Sequence, residues 1–307
     1  MIESLFEELG LGNIISPITP VSGGFMHRMY KVCTANHTYA VKHLNSEIMK
    51  RPAAMENYKK AEQLEAILEG EGIPIVAALI FDGKKMQEFQ GNYFYIFDWH
   101  DGKITDWNNI TAEQCRKAGN IQGRIHAIET KQSEQSEPEL STIDWNEYIK
   151  KAAGSNTDAP AKEVESLLKE NLPLLEYAQT ELNKARQSLP NITTIIDEDM
   201  DPKNVMWEYG EPVVIDLECL EYGNPVSSAI QLSLQWAGIT LCDFDLEKQK
   251  AFFQGYFQAY DNGFRDYKSV FGLTYTWIEW LDYNIIRALG NCQDKARSEE
   301  RRVGKEC

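Results

Sequence analysis

The sequence predicts an α+β protein of two lobes, the first built from strands around one long helix and the second mostly helical. Residues 15–44 alternate apolar and polar side chains around a glycine pair, as strands of a half-buried sheet do. After Asp101 and Gly102, apolar residues instead recur at the spacing of amphipathic helices. With 307 residues, the chain is long enough to form two lobes and a cleft between them.

Composition restricts the classes of function. The chain carries 47 acidic and 31 basic residues, a net charge of −16, which argues against a nucleic-acid partner. There is no run of 18 apolar residues and the N-terminus is acidic, so we expect neither a membrane segment nor a secretory leader. The six cysteines form no C-x-x-C pair, which predicts reduced thiols. We therefore expect a cytoplasmic protein, and nothing indicates an obligate protein partner.

The first lobe is predicted over residues 1–99. A short amphipathic helix covers residues 2–10, and residues 15–44 read as a strand, a turn and two more strands. Residues 52–72 are rich in helix formers, begin with a proline and end in glycine, which predicts the long helix. The apolar runs 75–81 and 93–99 have strand length, so the lobe should contain five strands.

The second lobe is predicted over residues 100–296. Helical periodicity covers residues 111–130, 159–187, 226–238, 244–261 and 273–292. Two short β segments interrupt these helices, one near Val205 and one over residues 213–217. The polar stretch 131–142 predicts a solvent loop.

The last eleven residues require a separate interpretation. Residues 297–307, RSEERRVGKEC, match the translation of a widely used sequencing adaptor. We therefore interpret this segment as an artefact, and we expect the natural chain to continue past Ala296.

Acidic side chains are concentrated in residues 195–225, which hold nine acids and a single base, Lys203. Crowded acids repel one another unless a cation lies among them, and hard oxygen ligands are those that Mg²⁺ prefers. A solvated acidic turn is the alternative interpretation. The order Asp199-x-x-x-x-Asn204, followed by a β segment that ends at Asp216, favours the metal. Phosphoryl transfer from a nucleotide requires a carboxylate to orient the attacking hydroxyl, an amide oxygen for Mg²⁺ and a second metal-binding carboxylate.

These motifs resemble the aminoglycoside phosphotransferase and choline kinase family, the small-molecule relatives of protein kinases. The family signature H-G-D-x-H-P-x-N, or H-R-D-L-D-P-K-N in a subset, appears here as D-E-D-M-D-P-K-N over residues 197–204. The resemblance implies that Asp199 is the catalytic base and that Asn204 and Asp216 bind Mg²⁺. Glu218 and Asp201 are supporting candidates. Asp197 replaces the first histidine of the signature, which puts the rate of the reaction in question.

The resemblance extends to the N-terminal lobe. The A-V-K of residues 40–42 is similar to the strand motif whose lysine binds nucleotide phosphates, which implies that role for Lys42. Ser22, Gly23 and Gly24 form a glycine turn whose backbone N–H groups could approach phosphates. The long helix offers three glutamates as the ion-pair partner of Lys42, and family spacing favours Glu62 over Glu56 and Glu65. Phe97, Asp98 and Trp99 occupy the place of the hinge that reads the adenine edge.

Other residues have mainly structural interpretations. His126 resembles part of a family helix, but packing is the commoner role of a helix histidine. Trp236, Trp277, Trp280 and Tyr283 are expected in the core, with an aromatic wall for the acceptor as the alternative.

The resemblance implies a protein-kinase-like fold with a five-stranded antiparallel N-terminal sheet. It also implies transfer of the γ-phosphate of ATP or GTP, with Mg²⁺, to a hydroxyl of a small molecule such as an aminoglycoside, choline or homoserine. The acidic site favours a cationic acceptor. A catalytically weak, nucleotide-binding regulatory pseudokinase is the alternative, suggested by Asp197 and Glu198.

Overall fold

The N-terminal lobe is built on one antiparallel sheet. The computed structural model describes residues 1–21, 27–130, 139–154 and 159–289. In these ranges the sheet has five strands in the order β1-β2-β3-β5-β4. The strands are β1 (Thr19–Val21), β2 (Arg28–Cys33), β3 (Thr38–His43), β4 (Gln87–Phe89) and β5 (Asn92–Asp98). The helices of this lobe are α1 (Ile2–Glu8), α2 (Ser46–Met49) and the long α3 (Ala54–Gly70). The predicted antiparallel sheet and long helix are confirmed.

One predicted strand is replaced by another. Residues 75–81 form isolated bridges instead of a strand, and the fifth strand is β4. Ile75 pairs with Val214 of the second lobe, and the backbone N–H of Val76 donates to the carbonyl of Val214 at 2.9 Å. The apolar run is therefore a connection between the lobes.

The C-terminal lobe is mostly helical, as predicted. Its helices are α4 (Ala112–His126), α5 (Trp145–Gly154), α6 (Ala159–Gln187), α7 (Pro225–Trp236), α8 (Leu246–Ala259) and α9 (Trp277–Leu289). Helix α5 was not predicted. Five short strands accompany these helices in the described ranges, where the sequence predicted two: β6 (Lys103–Ile104), β7 (Thr194–Asp197), β8 (Val205–Glu208), β9 (Glu211–Val214) and β10 (Leu220–Gly223). The strands β7 and β10 pair with each other, and β6, β8 and β9 form a second small sheet. The two small sheets flank the acidic segment.

Two glycines allow α4 and α8 to cross closely. A Cβ atom at Gly119 would lie 2.0 Å from the backbone oxygen of Phe252, and one at Gly255 would lie 1.8 Å from that of Arg116. Larger side chains would force the helices apart. The crossing therefore depends on glycine on both helices and supports the core beneath the acidic segment.

Helix α3 packs on both lobes. Its residues Ala61, Leu64 and Leu68 join a cluster that includes Ile195, Val214 and Trp236 of the C-terminal lobe. Near its start, Ala54 and Tyr58 pack against Leu44 and Tyr95 of the sheet. Helix α1 closes another core on the sheet, with Leu5 and Phe6 buried. The long helix is thus the main contact between the lobes.

Two predictions of the sequence fall outside this description. Residues 297–307 lie outside the described residues, as does most of the loop predicted over residues 131–142. Over the ranges that are described, no helix is both long and apolar enough to cross a bilayer.

Candidate active site

The loop after β7 presents Asp199 with both carboxylate oxygens fixed. Lys203 Nζ donates to Asp199 Oδ1 at 2.7 Å, and Asn204 Nδ2 donates to Oδ2 at 2.8 Å. Asn204 Nδ2 also donates to the backbone oxygen of Asp199 at 2.8 Å. The side chain of Asp199 is 35% exposed, so this oriented carboxylate remains accessible to solvent.

Asp201 shapes the D-P-K-N turn. Its Oδ1 accepts from the backbone N–H of Lys203 at 2.9 Å and its Oδ2 contacts Lys203 Nζ at 2.7 Å. With Pro202 at the first position, this cap begins the short 3₁₀ helix that carries Asn204. Burial raises the pKa of the Asp201 carboxyl, and the charge of Lys203 opposes that rise. Asp201 therefore has a structural role at this turn.

Asp216 is brought to the same place by β9. The backbone N–H of Ile215 donates to the carbonyl of Asn204 at 2.9 Å, which holds the two segments side by side. Asp216 has a left-handed backbone, with φ of 61° and ψ of 61°, a conformation that strains a residue other than glycine by about 1–3 kcal/mol. Such strain commonly marks functional positions, and the side chain of Asp216 is 38% exposed to the cleft.

Lys42 reaches across from β3 to these acids. Its buried ammonium lies 2.7 Å from Asp216 Oδ1 and 2.6 Å from Glu218 Oε1. Burial would lower the pKa of Lys42, but the two carboxylates outweigh burial and raise it. Lys42 is therefore a charged group at the boundary of the lobes.

Glu218 is the second carboxylate that forms an ion pair with Lys42. It also contacts His27 Nε2 through Oε2 at 3.1 Å. Burial would raise the pKa of Glu218, but the hydrogen bond from His27 and the charge of Lys42 lower it to about 2. His27 was not predicted as a site residue, and the only sequence signal was its position directly after the glycine turn.

The predicted ion pair between Lys42 and Glu62 is wrong. Both residues line the cleft, but Glu62 Oε1 accepts from Tyr95 Oη at 2.8 Å and from the backbone N–H of Met86 at 3.2 Å. Glu65 instead forms a buried ion pair with Lys85, whose Nζ lies 2.6 Å from Glu65 Oε1. Two acids of the C-terminal lobe take the place of the helix glutamate because the lysine points toward them.

Three of the other predicted nucleotide contacts lie at the end of β5 or directly after it. Phe97 lines the same cleft, and Asp98 is the last residue of β5. Trp99 follows, and its backbone N–H donates to the carbonyl of Thr38 at 3.1 Å. Ser22, Gly23 and Gly24 lie outside the described residues. A larger cavity, of about 340 Å³, lies between α5 and α6, and none of the predicted site residues lines it.

Asp197 is buried directly behind the loop that carries Asp199. Its side chain is 1% exposed, and its Oδ1 accepts from the backbone N–H of Asp199 at 3.1 Å. Burial raises its pKa to about 8, with repulsion from nearby acids as a smaller cause. Asp197 therefore carries a proton at neutral pH and adds no charge to the repulsion around Asp199.

Beside the loop, acids and aromatic residues face solvent. Glu198 is exposed and accepts from Gln231 at 3.4 Å, while Arg186 and Glu279 form a two-point ion pair at 2.7 Å. Trp280 is 66% exposed and stacks on Tyr283, with ring centres 5.3 Å apart.

The structure decides the interpretation of the remaining candidates. The core position expected for Trp277, Trp280 and Tyr283 is wrong, because all three are exposed. The core position is confirmed for Trp236, whose indole donates to the carbonyl of Met200 at 3.0 Å. His126 is packed in the core, as expected, and its Nδ1 lies 2.9 Å from Tyr256 Oη.

Known proteins resemble this chain in sequence over about half of its length. Stress response kinase A of Escherichia coli O157:H7 is 27% identical over 150 residues, which cover 48% of this chain and 42% of that relative. The same kinase of Escherichia coli K12 matches with the same identity and coverage. The chain thus spans less than half the length of the curated relatives that it matches.

Solved structures share the fold. They include spectinomycin phosphotransferase in complex with ADP and spectinomycin, with a TM-score of 0.72, 15% identity and coverage of 99% of this chain and 93% of that chain. The microcompartment-associated aminopropanol kinase has a TM-score of 0.61 and 13% identity, with coverage of 97% of this chain and 93% of that chain. Choline kinase LicA from Streptococcus pneumoniae has a TM-score of 0.55 and 17% identity, with coverage of 100% of this chain and 98% of that chain. A family model described as the phosphotransferase enzyme family matches residues 17–270. This match extends over most of the chain, and the protein belongs to that family.

Proposed function

We propose that this protein transfers the γ-phosphate of ATP or GTP, as the Mg²⁺ complex, to a hydroxyl group of a small molecule. The observation that carries the proposal is the convergence of Lys42, from the N-terminal lobe, with two neighbouring segments of the C-terminal lobe. Lys42 Nζ lies 2.7 Å from Asp216 Oδ1, and Asp216 follows a residue that is hydrogen-bonded to Asn204. Asn204 in turn orients Asp199. This convergence supports a site in which Lys42 would bind phosphate, Asn204 and Asp216 would bind the metal and Asp199 would act as the base, the set of groups that phosphoryl transfer requires.

Asp199 is the proposed base. Its carboxylate accepts the proton of the acceptor hydroxyl as that oxygen bonds to the γ-phosphorus. The bond between the γ-phosphorus and the bridging oxygen breaks, and the nucleoside diphosphate leaves with the bonding electrons. The products are a phosphate ester, the diphosphate and one proton. Lys203 and Asn204 hold the carboxylate in one orientation for this step.

Asn204 and Asp216 are the proposed Mg²⁺ ligands. The Nδ2 side of the Asn204 amide faces Asp199, so its oxygen is turned away from that residue. The described residues contain no group of three or more acidic, histidine or cysteine side chains that could hold a metal. Two protein oxygens nevertheless suit Mg²⁺, which usually binds through one or two protein ligands together with phosphates and water. When bound, Mg²⁺ would neutralise charge on the phosphates.

The nucleotide is proposed to lie between the sheet and the C-terminal lobe, with residues 1–99 as its main binding lobe. Lys42 would bind phosphate oxygens. The backbone carbonyl of Ile96 accepts from the N–H of Leu79, whereas the backbone N–H of Trp99 donates to the carbonyl of Thr38. Because the backbone groups of successive residues point to opposite sides of a strand, those of Asp98 point to the same side as those of Ile96. This side is the edge of the sheet where adenine would bind. Phe97 would line the pocket of the adenine ring.

The acceptor is proposed to bind in the lobe of residues 100–296. Exposed Glu198 and the stacked pair Trp280 and Tyr283 favour a cationic small molecule, because carboxylates and aromatic faces both attract cations. Proteins of the same fold act on small molecules such as aminopropanol and choline, as their names state. A cytoplasmic location without a nucleic-acid, membrane or obligate protein partner belongs to the same proposal.

Nucleotide binding and turnover test the proposal separately. ATP and GTP are titrated with and without Mg²⁺ and binding is followed by thermal shift. Transfer of labelled phosphate to a panel of amino alcohols, aminoglycosides and homoserine is then measured. We expect Asp199→Asn to retain binding and to lose about 10²–10⁴-fold in turnover, the usual contribution of a positioned base.

Asp82→Asn, an exposed substitution of the same kind, is the matched control. Binding without transfer to any acceptor would favour the pseudokinase. Unchanged turnover in Asp199→Asn would remove this residue from the mechanism.

A further inference from the structure

A single carboxylate of the C-terminal lobe, Glu218, receives three side chains from the N-terminal lobe. Lys42 Nζ lies 2.6 Å from its Oε1, and His27 Nε2 lies 3.1 Å from its Oε2. Tyr58 Oη donates to the same Oε2 at 3.4 Å. These residues come from the start of β2, from β3 and from α3, so Glu218 gathers three separate elements of the first lobe.

The orientation of His27 is fixed by its other nitrogen. Nδ1 accepts from the backbone N–H of Asn45 at 3.0 Å, so the ring proton is on Nε2. From there it faces Glu218 and Tyr58 Oη, both at 3.1 Å. Tyr58 itself donates to Glu218, so both hydrogen-bond routes end on that carboxylate. With its ring 6% exposed, His27 is a buried support for Glu218.

The two partners of Lys42 have different tasks in the proposed reaction. Asp216 is a proposed metal ligand, so a bound metal would compete with Lys42 for its carboxylate. Glu218 then remains to hold Lys42. Glu62 does not take this role, because Tyr95 and the backbone of Met86 bind its carboxylate.

We propose that Glu218 is the positioning residue for Lys42, and that His27 holds Glu218 in place. The contact that aligns the phosphate-binding lysine thus spans the two lobes and forms only when the lobes are together. This inference rests on the proposed function, because it concerns how Lys42 meets the nucleotide.

A comparison of Glu218→Gln with Glu62→Gln tests the partner of Lys42. The substitutions are chemically identical and both residues line the cleft. Nucleotide affinity is measured by calorimetry at saturating Mg²⁺. We expect Glu218→Gln to weaken affinity about 10- to 100-fold, because the ion pair with Lys42 and the charged acceptor for His27 and Tyr58 are lost, and Glu62→Gln to have a smaller effect. A larger effect of Glu62→Gln would overturn the proposal.

Two further measurements separate positioning from metal binding. If Glu218 acts through Lys42, adding Glu218→Gln to Lys42→Met should weaken nucleotide affinity no further, whereas independent effects would multiply. The Mg²⁺ concentration for half-maximal binding should be unchanged in Glu218→Gln. Multiplied effects, or an affinity that returns to the wild-type value at high Mg²⁺, would overturn the proposal.

Two substitutions of His27 test its contact with Glu218 and its contact with Asn45 separately. In His27→Gln the amide nitrogen can reach the position of Nε2, whereas in His27→Asn the amide oxygen can reach that of Nδ1. We expect His27→Gln to stay within about threefold of wild-type affinity and His27→Asn to lose about tenfold. The reverse order would show that His27 only supports Asn45. Melting temperatures report folding, and the Glu218 measurements remain decisive if a histidine variant does not fold.

The wild-type protein distinguishes the two levels of failure. If it binds no Mg²⁺–nucleotide, the proposed function fails and this inference fails with it. If it binds nucleotide and Glu218→Gln binds equally well, only the role of Glu218 is refuted.

Discussion

Replacing Asp197 by asparagine should change how stability depends on pH. Burial raises the pKa of Asp197 to about 8, whereas the same group in the unfolded chain titrates near its ordinary value of about 3.9. Between these values the folded protein holds a proton that the unfolded chain has released. Folding stability is therefore lost as pH rises through this window, by about 1.4 kcal/mol per pH unit.

Asparagine cannot ionise, so this contribution disappears from the variant. We expect the wild type to lose about 3 kcal/mol more than Asp197→Asn between pH 5 and pH 7. The amide group also adds a constant cost. Asp197 Oδ2 is buried without a hydrogen-bond partner among the described residues, and the new N–H groups there would cost about 1–3 kcal/mol at every pH. The prediction therefore concerns the slope with pH.

Urea unfolding followed by tryptophan fluorescence at pH 5, 6 and 7 measures this slope. Asp82→Asn is the matched control, since it removes a carboxylate from an exposed position with positive φ that asparagine tolerates. We expect the control to keep the slope of the wild type. Parallel pH dependences of the wild type and Asp197→Asn would refute the argument that burial keeps Asp197 protonated.

Three other substitutions test the site and the packing. Asp216→Ala should abolish the Mg²⁺-dependent part of nucleotide binding, and an unchanged thermal shift with Mg²⁺ would exclude it as a ligand. Lys85→Met should destabilise the protein by about 3–5 kcal/mol, because it leaves Glu65 buried and unpaired, and adding Glu65→Leu should recover much of that loss in urea unfolding. Gly119→Ala should cost about 3 kcal/mol or more, because its Cβ would lie 2.0 Å from the backbone of α8. Gly70→Ala, in open space on α3, should raise the melting temperature slightly, and equal effects of the two would contradict the close crossing.

The sequence predicted the elements that bury a regular face. Helices α3, α4 and α6 were found within a few residues of their ends, because apolar spacing reports which side of a helix is covered. The same signal was misleading at residues 75–81. Apolar residues there are mostly half-buried, with Ala78 buried and Ile80 exposed, and such partial burial does not specify the backbone partner, which for Ile75 is Val214 of the other lobe. Strand β7 is too short to show a period, since its four residues are all buried.

At the site, sequence order was enough for the D-x-x-x-x-N motif and for Asp216, because these residues act close to one another in the chain. The partner of Lys42 was not predictable in this way. Spacing along α3 favoured Glu62, but the choice between carboxylates depended on where the lysine points and on the competing donor Tyr95. His27 had no motif, and its role is visible only when Glu218 is placed beside it.

Because α3 packs on both lobes, the parts of the protein that pack together do not coincide with the two halves of the chain. A fragment that ends at residue 99 would contain the whole sheet, yet it would expose Ala61, Leu64 and Leu68, which the second half of the chain covers. We expect such a fragment to aggregate, even though it contains every strand of its sheet. The segment after α3 is tied to the C-terminal lobe, where the backbone N–H of Val76 donates to the carbonyl of Val214, whereas Glu62 ties α3 itself to Tyr95 of the sheet. Lys42 belongs to the sheet and Glu218 to the C-terminal lobe, so the proposed alignment of the lysine depends on this shared helix holding the two sides together.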